Sequence, residues 1–431
     1  MIFELLFVLV LSLFFWFILV RREALQKRAK LGVPGPPTNF LFGNMHQIGK
    51  FMQEHGQCLH LLHKDVWPRQ YGKVYGAYIG GHLQIYLHDV ELVKEVLVKQ
   101  FPNFVDRMKM VLTEVEPMRS TLICNRGQRW KDVRAIVSPT FSTSKLRKLA
   151  FIMEEKLEVF MEVMAEKCQA GQPFDIFDNF QALTLDVIGR SAFALSVDCQ
   201  RDQSDGFYVN CRAFFKAADF AESSFLSMAA VVSELDPLFR HFRSLTAMGR
   251  AEARLLERLR KVVRLRMDNY KEFQGMDVLQ LLVEAAMEDG EGKESGSVGE
   301  ADIVGNCYLF LLAGYETTST ALAFTAWLLA NHPEAQQQLQ QELDAAPKSK
   351  DISEWETLCR LPYLDAVFHE ALRIFPPVPL FVARTCTAAT TIGDLKLTKG
   401  SEVVIPVYSL QHDPELWPEP ETFNPNSGSH T

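Results

Sequence analysis

Ala313-Gly314-Tyr315-Glu316-Thr317-Thr318 places a glycine, an acid and two alcohols inside a run, Asp302 to Asn331, that is otherwise apolar nearly throughout. Residues four apart share one face of a helix, so the Thr317 hydroxyl can bond back to the Ala313 carbonyl and bend the helix there. Gly314 has no Cβ and lets another group approach the backbone. Glu316 and Thr317, acid beside alcohol, can relay protons in a water-poor cavity. The competing reading is a structural cluster whose polar groups satisfy one another. A membrane span fits less well, because a charge at its centre is expensive and basic flanks are missing.

Leu364 to Pro377, LDAVFHEALRIFPP, carries an apolar stripe of Leu364, Val367, Phe368, Ala371, Leu372 and Phe375 that Pro376-Pro377 terminates. Glu370 and Arg373 meet on the opposite face, and periodicity alone makes them an exposed ion pair of little energetic weight. His369-Glu370 opens like a zinc-protease helix, but Arg373 stands where the second His is needed, and that reading fails. Trp130 and Arg134 share a face of a predicted helix beside Arg126 and Arg129. They form either a solvated surface or a grip on an anion. Arg384, in the apolar stretch VPLFVART, wants an anionic partner. His55, His60 and His63 have no thiol or acid in matching geometry and read as surface or core histidines.

The elements that position these residues belong to a globular chain of 431 residues with 48% hydrophobic side chains. Its formal charge of −8 argues against a nucleic-acid coat. Eight cysteines without a C-x-x-C spacing read as reduced thiols. Residues 1–20 form an apolar membrane anchor. Residues 21–37 form a basic and proline-rich hinge, with Arg21, Arg22, Lys27, Arg28 and Lys30 before Pro34-Gly35-Pro36-Pro37. The basic flank places the bulk of the chain on the cytosolic side. A hairpin is expected over 73–88 about Gly80-Gly81, and helices near 89–100, 128–137, 144–168, 177–195 and 247–272. An exposed loop is expected over 289–300, and a strand pair within 391–407 turning at Lys399-Gly400. The Phe-rich stretch 214–225 is either a cavity roof or an ordinary amphipathic helix. No nucleotide-binding loop is present in the sequence.

From about Pro34 to Pro425 the sequence resembles the cytochrome P-450 family, the haem-thiolate monooxygenases. The resemblance rests on the anchor with its PGPP hinge, WKDVR from Trp130 to Arg134, AGYETT from Ala313 to Thr318, and EALR from Glu370 to Arg373. It implies a mainly α fold with small β-sheets (α+β), with haem as cofactor and a buried apolar substrate cavity. It assigns Thr317 and Glu316, with Ala313 and Gly314, to the catalytic segment. Trp130, Arg134 and Arg384 are assigned to the haem propionates, and Glu370 and Arg373 to a buried core pair. The implied partners are a separate NADPH-dependent cytochrome P-450 reductase, a lipophilic small molecule and the membrane, with no nucleic acid. The implied location is the endoplasmic reticulum membrane, single-pass, with the catalytic domain cytosolic.

The sequence departs from the family after PEPETFNP, Pro418 to Pro425. Ser427 and Gly428 stand where the family has an Arg-Phe pair, and no cysteine lies in the Phe-x-x-Gly-x-x-x-Cys-x-Gly loop that supplies the iron's thiolate. The expectation is therefore an incomplete domain over 38–425, a divergent tail over 426–431, and no metal ligand in this chain. Two functions follow. One is a membrane-bound monooxygenase hydroxylating xenobiotics, steroids or fatty acids, read from an incomplete chain. The other is a non-catalytic truncated form acting as a membrane-anchored binding protein. Isomerase or lyase chemistry is a third possibility within the family.

Overall fold

A computed structural model describes residues 2–56, 58–108, 114–193, 195, 197–219, 223–273, 277–289, 299–347, 354–380 and 382–428. The described chain is mainly helical with two small sheets, as expected. It divides into two compact units. One comprises Met1–Val115, Phe215–Gly249 and Val378–Asp413, and the other Glu116–Phe214, Arg250–Pro377 and Pro414–Thr431.

The first unit is built on a sheet. β1 (Val74–Ile79) and β2 (His82–Leu87) pair antiparallel from Val74↔Leu87 to Ile79↔His82, the hairpin the sequence predicts. Its turn needs glycine: Gly80 has φ +58°, and a Cβ there would lie 2.2 Å from the Ala230 carbonyl oxygen. The strands expected in 391–407 are arranged differently from the prediction. Strands β3 (Val382–Thr385), β4 (Thr390–Ile392), β5 (Leu395–Leu397) and β6 (Glu402–Ile405) form, with β4 and β5 as a two-stranded hairpin. That hairpin turns at Gly393, φ +53°, while the expected turn at Lys399-Gly400 forms, with Ser401 N donating to the Thr398 carbonyl at 3.0 Å, but joins β5 to β6, which do not pair. β6 is buried along its whole length, so it needs a neighbour on each side and takes them from β2, parallel, and β3, antiparallel. The sheet order is β1-β2-β6-β3. Ile85, Leu87, Phe104 and Val403 form one core layer and Trp67, Tyr75, Ala77 and Tyr86 another.

Among the described residues one helix, α1 (Ile2–Lys30), is long and apolar enough to cross a membrane. Its 29 residues span roughly 43 Å at about 1.5 Å each. Phe7, Phe14, Phe15, Trp16 and Leu19 are exposed along it. The helix does not end at Val20, where the hinge was expected, but continues through the basic residues to Lys30. Its last turns lie on the sheet: Tyr78 Oη donates to the Leu25 carbonyl at 3.0 Å and accepts from Arg28 N at 3.0 Å. The Arg28 guanidinium donates to the carbonyls of Pro36 (2.7 Å) and Gly76 (3.1 Å). The extended part of the hinge is thus confined to the prolines.

The second unit is helical. It contains α2 (Gly127–Val137), α3 (Thr143–Ala170), α4 (Ile176–Phe193) and most of α5 (Gly206–Ala218) and α6 (Ala247–Asp268). Also in it are α7 (Val278–Asp289), α8 (Glu300–Asn331), α9 (Pro333–Ala345) and α10 (Pro362–Ile374). The helices expected at 128–137, 144–168, 177–195 and 247–272 correspond to α2, α3, α4 and α6 to within a few residues, whereas α5, α7 and α9 were not expected. The loop expected over 289–300 lies mostly outside the described residues. α8 packs along α4, and its buried half carries Ile303, Val304, Cys307, Tyr308 and Leu311.

Candidate active site

The start of α8 is fixed by charge. Asp302 Oδ2 accepts from Gly299 N at 2.9 Å, capping the first turn, and the same carboxylate takes a charge-assisted bond from Arg129 of α2. One turn on, the Asn306 side chain accepts from Leu122 N at 2.8 Å and donates to the Asp302 carbonyl at 2.8 Å. Gly305, between them, packs so closely that a Cβ would sit 2.9 Å from the Pro117 carbonyl oxygen. None of these positioning contacts was evident from sequence.

At the middle of α8 the predicted residues separate by face. Thr317 Oγ1 donates to the Ala313 carbonyl at 2.7 Å, the back-bond expected, on a side where Ala313 is exposed and Thr317 half-buried. Glu316, turned about 100° from its neighbour, is half-buried and accepts from Gln181 Nε2 of α4 at 2.9 Å. Burial pushes the Glu316 carboxyl above the usual carboxylate range, and the Gln181 bond opposes that shift. Gly314 is approached by the Ile188 side chain, 3.2 Å from where a Cβ would be. The missing Cβ thus serves helix packing. Hydroxyls crowd the same turns: Ser319 donates to the Tyr315 carbonyl (2.8 Å), Thr320 to Glu316 (2.8 Å), Thr325 to Ala321 (2.7 Å), and Thr184 across from α4 to Tyr315 (3.0 Å).

Glu370 and Arg373 of α10 are buried, 6% and 5% exposed, so the exposed-pair reading from periodicity is wrong. Arg373 Nε and Nη2 donate to the two carboxylate oxygens at 2.7 and 2.9 Å. The remaining donors go to the carbonyls of Pro420 (2.8 Å) and Thr422 (3.2 Å), while Glu370 also accepts from Asn424 N at 3.0 Å. The apolar stripe cannot reveal this, because the covering chain lies some fifty residues on.

The predicted anion-binding residues fall in different units. In the helical unit the Arg134 guanidinium lies 5.8 Å from the centre of the Trp130 ring, the shared face expected of residues four apart. In the sheet unit Arg384, on β3, donates to the Ala383 carbonyl at 2.9 Å, but its buried Nε has no hydrogen-bond partner among the described residues. Burial and the neighbouring Arg107 lower its pKa to about 10. A buried guanidinium with an unused donor is suited to a carboxylate.

The helical unit thus places an acid and an alcohol at the middle of α8 and a buried Glu-x-x-Arg pair on α10. The chain belongs to the cytochrome P-450 family, whose model matches residues 33–427. It is 31% identical to cytochrome P-450 3A5 of Homo sapiens over 406 residues, covering 94% of this chain and 78% of that protein. It is 32% identical to cytochrome P-450 3A13 of Mus musculus over 399 residues, covering 92% and 76%. It is 31% identical to cytochrome P-450 3A9 of Rattus norvegicus over 401 residues, again covering 92% and 76%.

The family implies a haem cofactor and monooxygenase chemistry. Arg384 fits a haem carboxylate by its unused donor, and Trp130 with Arg134 by charge and exposure. The four buried cysteines do not fit the thiolate ligand. Burial raises the thiols of Cys199, Cys211, Cys307 and Cys386, and Cys386 donates to the Ala388 carbonyl at 2.7 Å. A ligating thiolate requires the opposite shift.

Proposed function

We propose that this chain belongs to a membrane-bound haem monooxygenase that hydroxylates lipophilic substrates such as xenobiotics, steroids or fatty acids. The reading rests on one observation above others: Thr317 offers a hydroxyl on the less buried side of an otherwise apolar helix, with the Glu316 carboxyl one residue away. When bound, the haem supplies the redox centre at which dioxygen is activated. Trp130 with Arg134 in the helical unit, and separately Arg384 in the sheet unit, would each offer a partner to a haem carboxylate. Ala313 and Gly314 keep the helix surface low beside Thr317. The Thr317 hydroxyl, on leaving the Ala313 carbonyl, would hand on a proton, and the Glu316 carboxyl, one residue back on a different face, would serve as a proton reservoir for the cavity. Electrons come from a separate NADPH-dependent reductase, the partner that membership of the family implies. α1 anchors the protein in the endoplasmic reticulum membrane, and its basic C-terminal turns keep the remainder on the cytosolic side.

The raised buried thiols favour a second reading, a membrane-anchored protein that binds apolar ligands without oxidising them. The visible spectrum of the purified chain supplied with haem, reduced under carbon monoxide, separates the two. A thiolate-type Soret band supports the monooxygenase. Absence of haem, or a non-thiolate band, supports the binding protein.

A further inference from the structure

Arg21 closes the apolar part of α1, at the position where a membrane helix ordinarily meets headgroups and water. Here it is fully buried. Its Nε donates to Glu234 Oε1 at 2.6 Å and its Nη2 to Glu234 Oε2 at 2.5 Å, a two-point bond that fixes orientation as well as distance. The remaining donors go to backbone: Nη1 to the Leu41 carbonyl at 2.6 Å and Nη2 to the Val231 carbonyl at 2.7 Å. The ring of Phe17, one helical turn earlier, covers the guanidinium at 5.1 Å. Every strong donor is used, which is the condition for tolerating a buried ion pair.

The β1–β2 turn is shaped around this bond. A Cβ on Gly81 would lie 2.6 Å from Glu234 Oε1 and 3.1 Å from Arg21 Nε, and a Cβ on Gly80 would lie 2.4 Å from the Val231 carbonyl oxygen. Both glycines leave room for the pair and for the chain that carries Glu234. That chain joins the helix Ser224–Val231 to the helix Asp236–Phe242. All of these residues belong to the sheet unit.

We propose that Arg21 and Glu234 form a latch that locks the membrane helix to the 231–245 segment, so that the bilayer, through α1, sets where that segment stands. Burial shields the bond from salt, and its five acceptors, the Phe40 carbonyl at 3.4 Å among them, leave Arg21 no alternative position on the helix. A buried pair contributes definition of geometry more than stability, and geometry is what an anchor running without a break into the body requires. The inference rests on the reading of α1 as a membrane span.

The test uses the full chain in lipid nanodiscs, with spin labels attached through non-natural residues at positions 14 and 238, both exposed, leaving the eight cysteines untouched. Pulsed electron resonance then reads the distribution of distances between them. A single narrow peak is expected for the parent chain, and its loss in Glu234→Gln and in Gly81→Ala. Gly81→Ala disturbs the pair from outside and serves if Glu234→Gln does not fold. An equally narrow peak in both variants, or a broad distribution in the parent, overturns the latch. Failure of the chain to enter nanodiscs at all instead overturns the membrane reading.

Discussion

The Glu370 carboxylate and the Arg373 guanidinium face each other across one turn of α10, joined at 2.7 and 2.9 Å with both side chains nearly inaccessible. Removing one member leaves the other as an uncompensated buried charge, which costs about 3–5 kcal/mol. That is a large part of the ~5–15 kcal/mol by which a domain is stable. Glu370→Ala should therefore show a large fall in denaturant midpoint. Arg373→Lys should fall nearly as far, because an ammonium cannot reach Glu370, Pro420 and Thr422 together.

Two glycines of α8 should respond to alanine by different amounts. At Gly305 the new methyl meets the backbone oxygen of Pro117, which cannot move alone, and Gly305→Ala should cost about 1–3 kcal/mol. At Gly314 it meets the Ile188 side chain, with Cδ1 and Cγ1 both at 3.2 Å, which can give where a backbone oxygen cannot, and Gly314→Ala should stay within about 1 kcal/mol. Thermal melts of the two variants measure the difference.

Glu316 has a folded pKa above its unfolded one, so the folded state holds the proton more tightly. Its contribution to stability is then lost as pH rises from the ordinary carboxylate range through the folded value. Glu316→Gln removes that loss. The variant should be more stable than the parent at neutral pH and indistinguishable from it below the ordinary carboxylate pKa. Paired denaturation curves at pH 4 and 7 decide it.

His63 and His88 flank the Tyr75 hydroxyl, at 2.8 and 3.3 Å, in a buried aromatic cluster. Burial lowers His63 to about 3 and His88 to about 4. Both remain neutral in the fold while the unfolded chain takes up protons below the usual imidazole value. Stability present at pH 7 should therefore fall as pH drops below about 6.5, by about 1.4 kcal/mol per pH unit for each histidine until its folded pKa is reached. His88→Gln should roughly halve that slope in the upper part of the window.

Thr317→Ala removes the hydroxyl from a half-buried site and should change stability by less than about 1 kcal/mol. If the proposed proton hand-over is right, product formed per reducing equivalent consumed should drop sharply in Thr317→Ala and recover in Thr317→Ser. Equal coupling in all three proteins would remove Thr317 from the mechanism.

Local sequence announced the elements well, because periodicity and punctuation are short-range. The hairpin about Gly80-Gly81, the long helix ending at Asn331 and the helix carrying Glu370 were all visible. So was the Thr317 back-bond, which needs only the i and i−4 relation. What sequence concealed lies far apart along the chain. Gln181 is 135 residues from Glu316, and Arg21 is 213 residues from Glu234, and nothing in either neighbourhood marks a partner. The burial of Glu370 and Arg373 followed from family resemblance and not from pattern, since an amphipathic helix reads the same whether or not later chain covers its polar face. Both Gly393 and Gly400 take left-handed backbone in turns, but the strands around Lys399-Gly400 do not pair with each other, because β6 takes its partners from β3 and from β2, which lies far away along the chain.

The hydroxyls along α8 have a mechanical consequence. Thr317, Ser319, Thr320 and Thr325 each return a bond to a carbonyl of the preceding turn, and the Tyr315 carbonyl takes a second from Thr184. When a backbone N–H in this stretch moves away, its carbonyl acceptor already has a substitute donor, so opening the helix there leaves only the N–H to be re-paired. Asp302 and Asn306 hold the preceding turns to the surrounding chain. The longest described helix is thus clamped near its start and compliant in the middle, and displacement imposed on it is absorbed at the turns that carry Glu316 and Thr317.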